Sequence, residues 1–99
     1  MRFEWDRAKA ETNLRKHRVS FETALRVFFD PFVLIEQDRV EDGEYRWQAI
    51  GAVDGHTVLI VAHVNREDDE AEEPVEVIRI ISARKADLKE RRRYEEDKR

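Results

Sequence analysis

The stretch Arg79-Ile80-Ile81-Ser82-Ala83-Arg84-Lys85-Ala86 sets one arginine inside an apolar run, then two consecutive cations just before a helix start. Guanidinium and ammonium groups beside free helix N–H groups suit a phosphate, because all of them donate hydrogen bonds and all carry positive charge. Arg79 has aliphatic neighbours on both sides. It needs either a carboxylate on an adjacent strand or a cleft, since an unpaired buried charge is costly. Arg84 and Lys85 read equally well as an ordinary polar loop.

His17 stands beside Arg15, Lys16 and Arg18. An imidazole titrates near neutrality and suits general acid–base work, but a histidine in the last turn of a helix also complements the helix dipole. His56 follows a tight turn, and His63 ends an apolar run next to Asn65 and Arg66. Three scattered histidines without cysteine or a paired carboxylate motif argue against a zinc site. The three glycines are well separated, which rules out a glycine-rich phosphate loop. Trp5 and Trp47 have the chemistry to stack on bases and equally the bulk to anchor a small core. Arg91, Arg92 and Arg93 occupy less than one helical turn and cannot share a face.

A chain of 99 residues holds a single domain, 1–99. With 40% hydrophobic and 42% charged residues it folds around a modest core under a densely ionic surface. The net charge is −4, yet its distribution is uneven: residues 1–19 carry +3, 20–65 carry −5, 66–76 carry −6 and 77–99 carry +4. Both ends are basic, so a polyanion site forms if they meet in space. The opening residues lack the apolar core of a leader, and no apolar run reaches the length of a membrane span, so the cytoplasm is the expected compartment.

The elements that position these groups follow from periodicity and punctuation. Residues 2–5 suit a short strand, and Asp6 suits the N-cap of a helix over 7–17 with a thin apolar face of Ala10, Leu14 and His17. Ser20 caps a second helix with a stripe of Phe21, Ala24, Leu25 and Phe28, stopped by Asp30-Pro31. Phe32 to Ile35 is a short apolar run, and Asp38 to Glu44 reads as a turn. Tyr45 to Val53 alternates as a half-buried strand. Asp54-Gly55 is a hairpin signal leading into the apolar strand 57–62. An acidic loop over 67–73 precedes a strand Val75–Ile81. Asp87 with Glu90 forms a capping box that opens a short basic helix to about 97. The expected architecture is α+β: a small antiparallel sheet packed by two N-terminal helices, with a short C-terminal helix.

Phe3-Glu4-Trp5-Asp6 with Lys9, Asn13-Leu14-Arg15-Lys16-His17, Val19-Ser20-Phe21-Glu22 with Ala24, and the closing Ile78 to Ala86 followed by Glu90-Arg91-Arg92-Arg93-Tyr94-Glu95 resemble the BrnT-type toxins along nearly the whole chain. The resemblance implies a RelE-like fold and a toxin of a type II toxin–antitoxin pair that cleaves RNA without metal or cofactor. It also implies neutralisation by a BrnA-type antitoxin, through which the complex reaches DNA. No membrane partner is expected. Carried over, the catalytic residues are Arg84, Lys85, Arg79 and Arg66, and the RNA-binding residues are Lys16, His17, Arg92 and Tyr94. His17 and Glu90 are the candidates for a general base. The alternative is a non-catalytic RNA-binding or transcription-regulatory module, or an inactive toxin homologue. Two departures stand out. Arg18 replaces the glycine usual after the histidine, so a different turn is expected there. The loop over 66–76 is longer and more acidic than the family's, which sets carboxylates near Arg66.

Overall fold

The computed structural model describes residues 1–70 and 72–98. Strand β1 (Arg2–Glu4) leads to Asp6, whose carboxylate accepts the Lys9 N–H at 3.0 Å and caps helix α1 (Arg7–His17). The thin apolar stripe holds that helix only in part: Ala10 packs against the core, but Leu14 is 48% exposed, and the buried side chain is Asn13. Its amide donates to the carbonyls of Val19 and Ala83 at 2.9 and 2.8 Å and accepts the Ala83 N–H at 3.0 Å. Arg18 takes the left-handed conformation (φ 61°) and its N–H closes on the Leu14 carbonyl, so the turn forms although the residue is not glycine.

Ser20 caps α2 (Phe21–Ala24), and a 3-10 segment over Leu25–Phe29 continues to Asp30. Strands β2 (Leu34–Glu41), β3 (Glu44–Val53), β4 (Thr57–Asp68) and β5 (Val75–Lys85) follow, then helix α3 (Leu88–Asp97). The order of elements is the expected one, but three boundaries move. The turn is Asp42-Gly43, both at positive φ, so β2 runs through most of the segment read as a turn. The acidic loop shrinks to 69–74, because Glu67 and Asp68 pair with Glu76 and Val75. Strand β5 extends beyond Ile81 and takes in Arg84 and Lys85, since its pairing with β4 continues through Lys85 opposite Leu59.

The sheet order is β1-β5-β4-β3-β2. The four long strands form an antiparallel meander, whereas β1 joins the β5 edge in parallel, so the sheet is mostly rather than wholly antiparallel. On one face Ala49, Leu59, Val61, Ile80 and Ala83 pack under Phe21, Ala24 and Val27. On the other, Ile50, Val58 and Ile60 pack under Tyr94 of α3. Gly51 marks the closest approach on the first face: a Cβ there would lie 2.7 Å from Val27 Cγ1 and 3.1 Å from the Val27 carbonyl oxygen. Gly51→Ala is therefore expected to cost about 1–3 kcal/mol by overpacking. Urea unfolding measures it, and an unchanged midpoint would show that the 3-10 segment yields.

Candidate active site

Residues opposite one another in register project from the same face of a sheet. Arg66 opposes Val77, Val64 opposes Arg79, and Ile60 opposes Arg84. Between the last two the pairing slips: His63 opposes Ile80, but Ala62 opposes Ser82, which leaves Ile81 as an extra residue. A bulge of this kind re-aims the side chains beyond it. Without it, simple alternation would send Arg79 and Arg84 to opposite sides. With it, Arg66, Arg79, Ser82 and Arg84 all stand on the face that carries α3. That helix packs over Ile50, Val58 and Ile60 at one end, while Arg66, Arg79 and Ser82 stay exposed beyond it.

Two arginines of this face, Arg84 and Arg66, are held by carboxylates. Arg84 and Glu90 form a two-pronged pair, Nη1 to Oε1 at 2.8 Å and Nη2 to Oε2 at 2.9 Å. Glu90 also accepts the Asp87 N–H at 2.9 Å. The pairing with Arg84 holds the Glu90 carboxyl below the usual carboxylate range and raises Arg84 in return. Glu90 is thus an ionised partner of Arg84, and the same pairing makes it a weaker proton acceptor than a free carboxylate. Arg66 pairs with Glu4 of β1 at 3.0 Å, and Arg2 with Asp68 at 2.9 Å. Arg66 therefore belongs to β4, not to the acidic loop. Arg79 lies opposite Glu4 in register, but that carboxylate is turned to Arg66. Arg79 is exposed and lines a 270 Å³ hollow with Glu4, Trp5 and Asp6. Of the two sequence readings for Arg79, a cleft or an ion pair, the structure takes the cleft.

Other expected residues lie apart. Lys85 opposes Leu59, so alternation turns it away from Arg84. It lines a separate hollow with His56, Thr57 and Arg91. The phosphate site expected from Arg84, Lys85 and a free helix end is not assembled as one cluster, because Lys85 turns away and the capping box takes up the Asp87 and Glu90 N–H groups at the α3 N-terminus. Tyr94, expected to meet RNA, is 1% exposed, and its hydroxyl donates to Asp30. Such a residue has no surface to offer a base. Arg91, Arg92 and Arg93 diverge: Arg91 turns to the Lys85 hollow, Arg92 is exposed, and Arg93 pairs with Glu36 of β2. Lys16 and His17 line a groove between α1 and β5. Trp5 packs edge-on against Phe21.

His63 is fully buried against the Phe28 ring, with Nδ1 2.7 Å from Asn65 Oδ1. Burial lowers its pKa, outweighing the Asn65 hydrogen bond and the Glu76 charge. The folded state therefore holds His63 neutral while the unfolded chain binds a proton below about pH 6.5. Stability is complete above that pH and falls as the pH drops toward the folded-state pKa. His63→Gln is expected to flatten the unfolding midpoint between pH 7 and pH 5, in the range where histidine titrates; an unchanged slope assigns the dependence to other groups.

Residues that sequence reasoning missed are Arg2, Glu4, Glu36 and Arg93, which reach the open face only through cross-strand and helix–sheet contact. Among the described residues, no group of three or more His, Cys, Asp or Glu side chains is placed to hold a metal ion, and no helix is long and apolar enough to cross a membrane. A family described as "Ribonuclease toxin, BrnT, of type II toxin-antitoxin system" matches residues 5–90. The crystal structure of the Brucella abortus ribonuclease toxin BrnT is similar in fold, with a TM-score of 0.66 and 24% identity, over 89% of this chain and 99% of that one. No curated protein matches the chain.

Proposed function

The chain belongs to the BrnT family of ribonuclease toxins of type II toxin–antitoxin systems, and from that premise we propose that it is a metal-independent endoribonuclease working on the open face of its sheet. In the proposed reaction a ribose 2′-oxygen bonds to the adjacent phosphorus as the bond to the 5′-oxygen breaks. The hydroxyl proton leaves the 2′-oxygen and a proton is taken up by the departing 5′-oxygen, giving a cyclic phosphate and a free 5′-hydroxyl. Arg84 and Arg79 neutralise the charge that builds on the phosphorane, and Arg66 holds a neighbouring phosphate. Fixed donors aimed at developing charge are the largest contribution available to a site of this composition. The observation that carries the reading is the bulge at Ile81, which sets Arg79 and Arg84 on one face.

The sheet with its N-terminal helices on one face is read as RelE-like. The partners are RNA and a cognate antitoxin of the BrnA type, acting in the cytoplasm, with DNA reached only through the antitoxin complex. The test is incubation of the purified chain with total RNA in excess EDTA, followed by analysis of the fragment ends. Cyclic phosphates that vanish with Arg84→Ala support the reading. Intact RNA in the presence of folded protein would sink it and leave a non-catalytic RNA-binding module.

A further inference from the structure

On the sheet face Arg84 and Arg66 are already engaged by carboxylates, whereas a second basic surface runs alongside it. A 330 Å³ groove between α1 and the outer edge of β5 is lined by Lys9, Thr12, Lys16, His17, Ile81 and Ser82, together with Ala8 and Asn13. Among the described residues, no carboxylate lines it. The lining positions 9, 12, 13 and 16 fall on one side of a helix, since neighbours along a helix face are three and four apart. Asn13 pins that side to β5 through its bonds with Ala83. Lys9 and Lys16 are exposed and about 10 Å apart along the helix axis, two turns at 1.5 Å per residue, a spacing that lets each meet a different phosphate of one strand.

Ser82 belongs to both surfaces. It lines the groove, and its register with Ala62 places it on the sheet face, two positions from Arg84. The extra residue of the bulge, Ile81, lines the same groove beside Ser82.

We propose that this groove is a second subsite for single-stranded RNA: its lysines hold backbone phosphates flanking the one engaged by Arg84 and Arg79, and the strand passes over Ser82. The proposal rests on the nuclease reading for the identity of the ligand. The track is electrostatic and backbone-directed, so it adds affinity and register without selecting bases.

The full-length chain is titrated with labelled 2′-O-methyl oligoribonucleotides, which lack the attacking hydroxyl, of about four and about twelve nucleotides, within the usual range of single-strand site sizes. Binding is followed by anisotropy at several salt concentrations. For Lys9→Ala with Lys16→Ala, the longer strand is expected to lose about tenfold or more in affinity, and the slope of log K against log salt to fall by about 1.4, or 0.7 per phosphate contact on single strands. The shorter strand is expected to bind as it does to the parent chain, and Lys9→Arg with Lys16→Arg to restore the longer one. Equal loss on both lengths, or no loss on either, overturns the subsite. Total RNA is cleaved in parallel with the parent chain. If that chain cuts RNA but the double variant shows no length-dependent loss, the subsite alone fails. If the parent chain leaves RNA intact while the length-dependent loss appears, the nuclease reading alone fails.

Discussion

Arg84→Ala is expected to lower RNA cleavage about a hundredfold or more, the usual cost of removing one fixed donor from a site that stabilises a developing oxyanion, while thermal unfolding moves little. The two effects separate because of where the side chain stands. Arg84 is 43% exposed at its side chain and joined to Glu90 at the rim of the sheet face. A pair that solvent reaches this easily contributes about 1 kcal/mol or less. Removing the guanidinium leaves Glu90 with the Asp87 N–H and access to water. Arg84→Lys keeps the charge but loses the planar fork that meets Glu90 with two bonds, so it is expected to recover only part of the rate. Glu90→Gln tests positioning instead. It touches no phosphate in the proposed reaction, and it is expected to reduce the rate less than Arg84→Ala and to remove any acid-side fall in activity due to this pair. That fall follows from sign: the Glu90 pKa is depressed in the folded chain, so the pair persists above the ordinary carboxylate range and is lost only as the pH drops through the lowered value. Cleavage unchanged in Arg84→Ala, with cyclic-phosphate ends intact, would place the chemistry elsewhere.

Tyr94→Ala carries the largest expected loss of stability, about 3–5 kcal/mol for truncating a fully buried aromatic, against a total of about 5–15 kcal/mol for a domain. Tyr94 is 1% exposed and is the contact through which α3 meets Ile50, Val58 and Ile60. Its hydroxyl donates to Asp30, which also accepts the N–H groups of Ala52 and Phe32 at 2.8 and 2.9 Å. Burial pushes the Asp30 carboxyl up, but these donors and the Lys98 charge outweigh it and hold the group below its ordinary value. One carboxylate thus ties the end of the 3-10 segment to β3 and α3. Its contribution is present above about pH 4, near the unfolded carboxylate pKa, and is lost as the pH falls through the folded-state value. Tyr94→Phe keeps the ring and loses only the bond to a charged acceptor, at about 1.5–3 kcal/mol. Denaturant titration at pH 7 separates the two variants. Equal losses would mean that the hydroxyl, not the ring, holds α3 in place. Because α3 also supplies Glu90, Tyr94→Ala should depress cleavage wherever it loosens the helix.

Much of the fold was legible because the signals are local. Asp6, Ser20 and Asp87 cap the helices they precede, each by a side-chain bond to a backbone N–H three residues on. Asp54-Gly55 turns a hairpin, with His56 as a third loop residue closing on Val53. Asp42-Gly43 carries the same dipeptide signal and could have been recognised within the polar stretch around it. Where the reading of α1 failed, it failed on a polar residue: Asn13 lies off the apolar stripe, and two of its three bonds are to Ala83 of β5, 70 positions away in the chain.

The sequence by itself determined the element types and order, the helix starts, the basic ends and the motifs that mark the family, all of which depend on residues within a turn or two of one another. Tertiary structure alone decided which side chains share a face. Strand alternation counts by two along a chain, but a bulge is set by pairing between strands, and the extra residue Ile81 exists only in the register of β5 against β4. That one slip unites Arg79 with Arg84 and turns Lys85 away. Long-range contact likewise seats Arg66 on Glu4 and buries Tyr94 over the sheet, because charges and rings find their partners across the fold rather than along the chain.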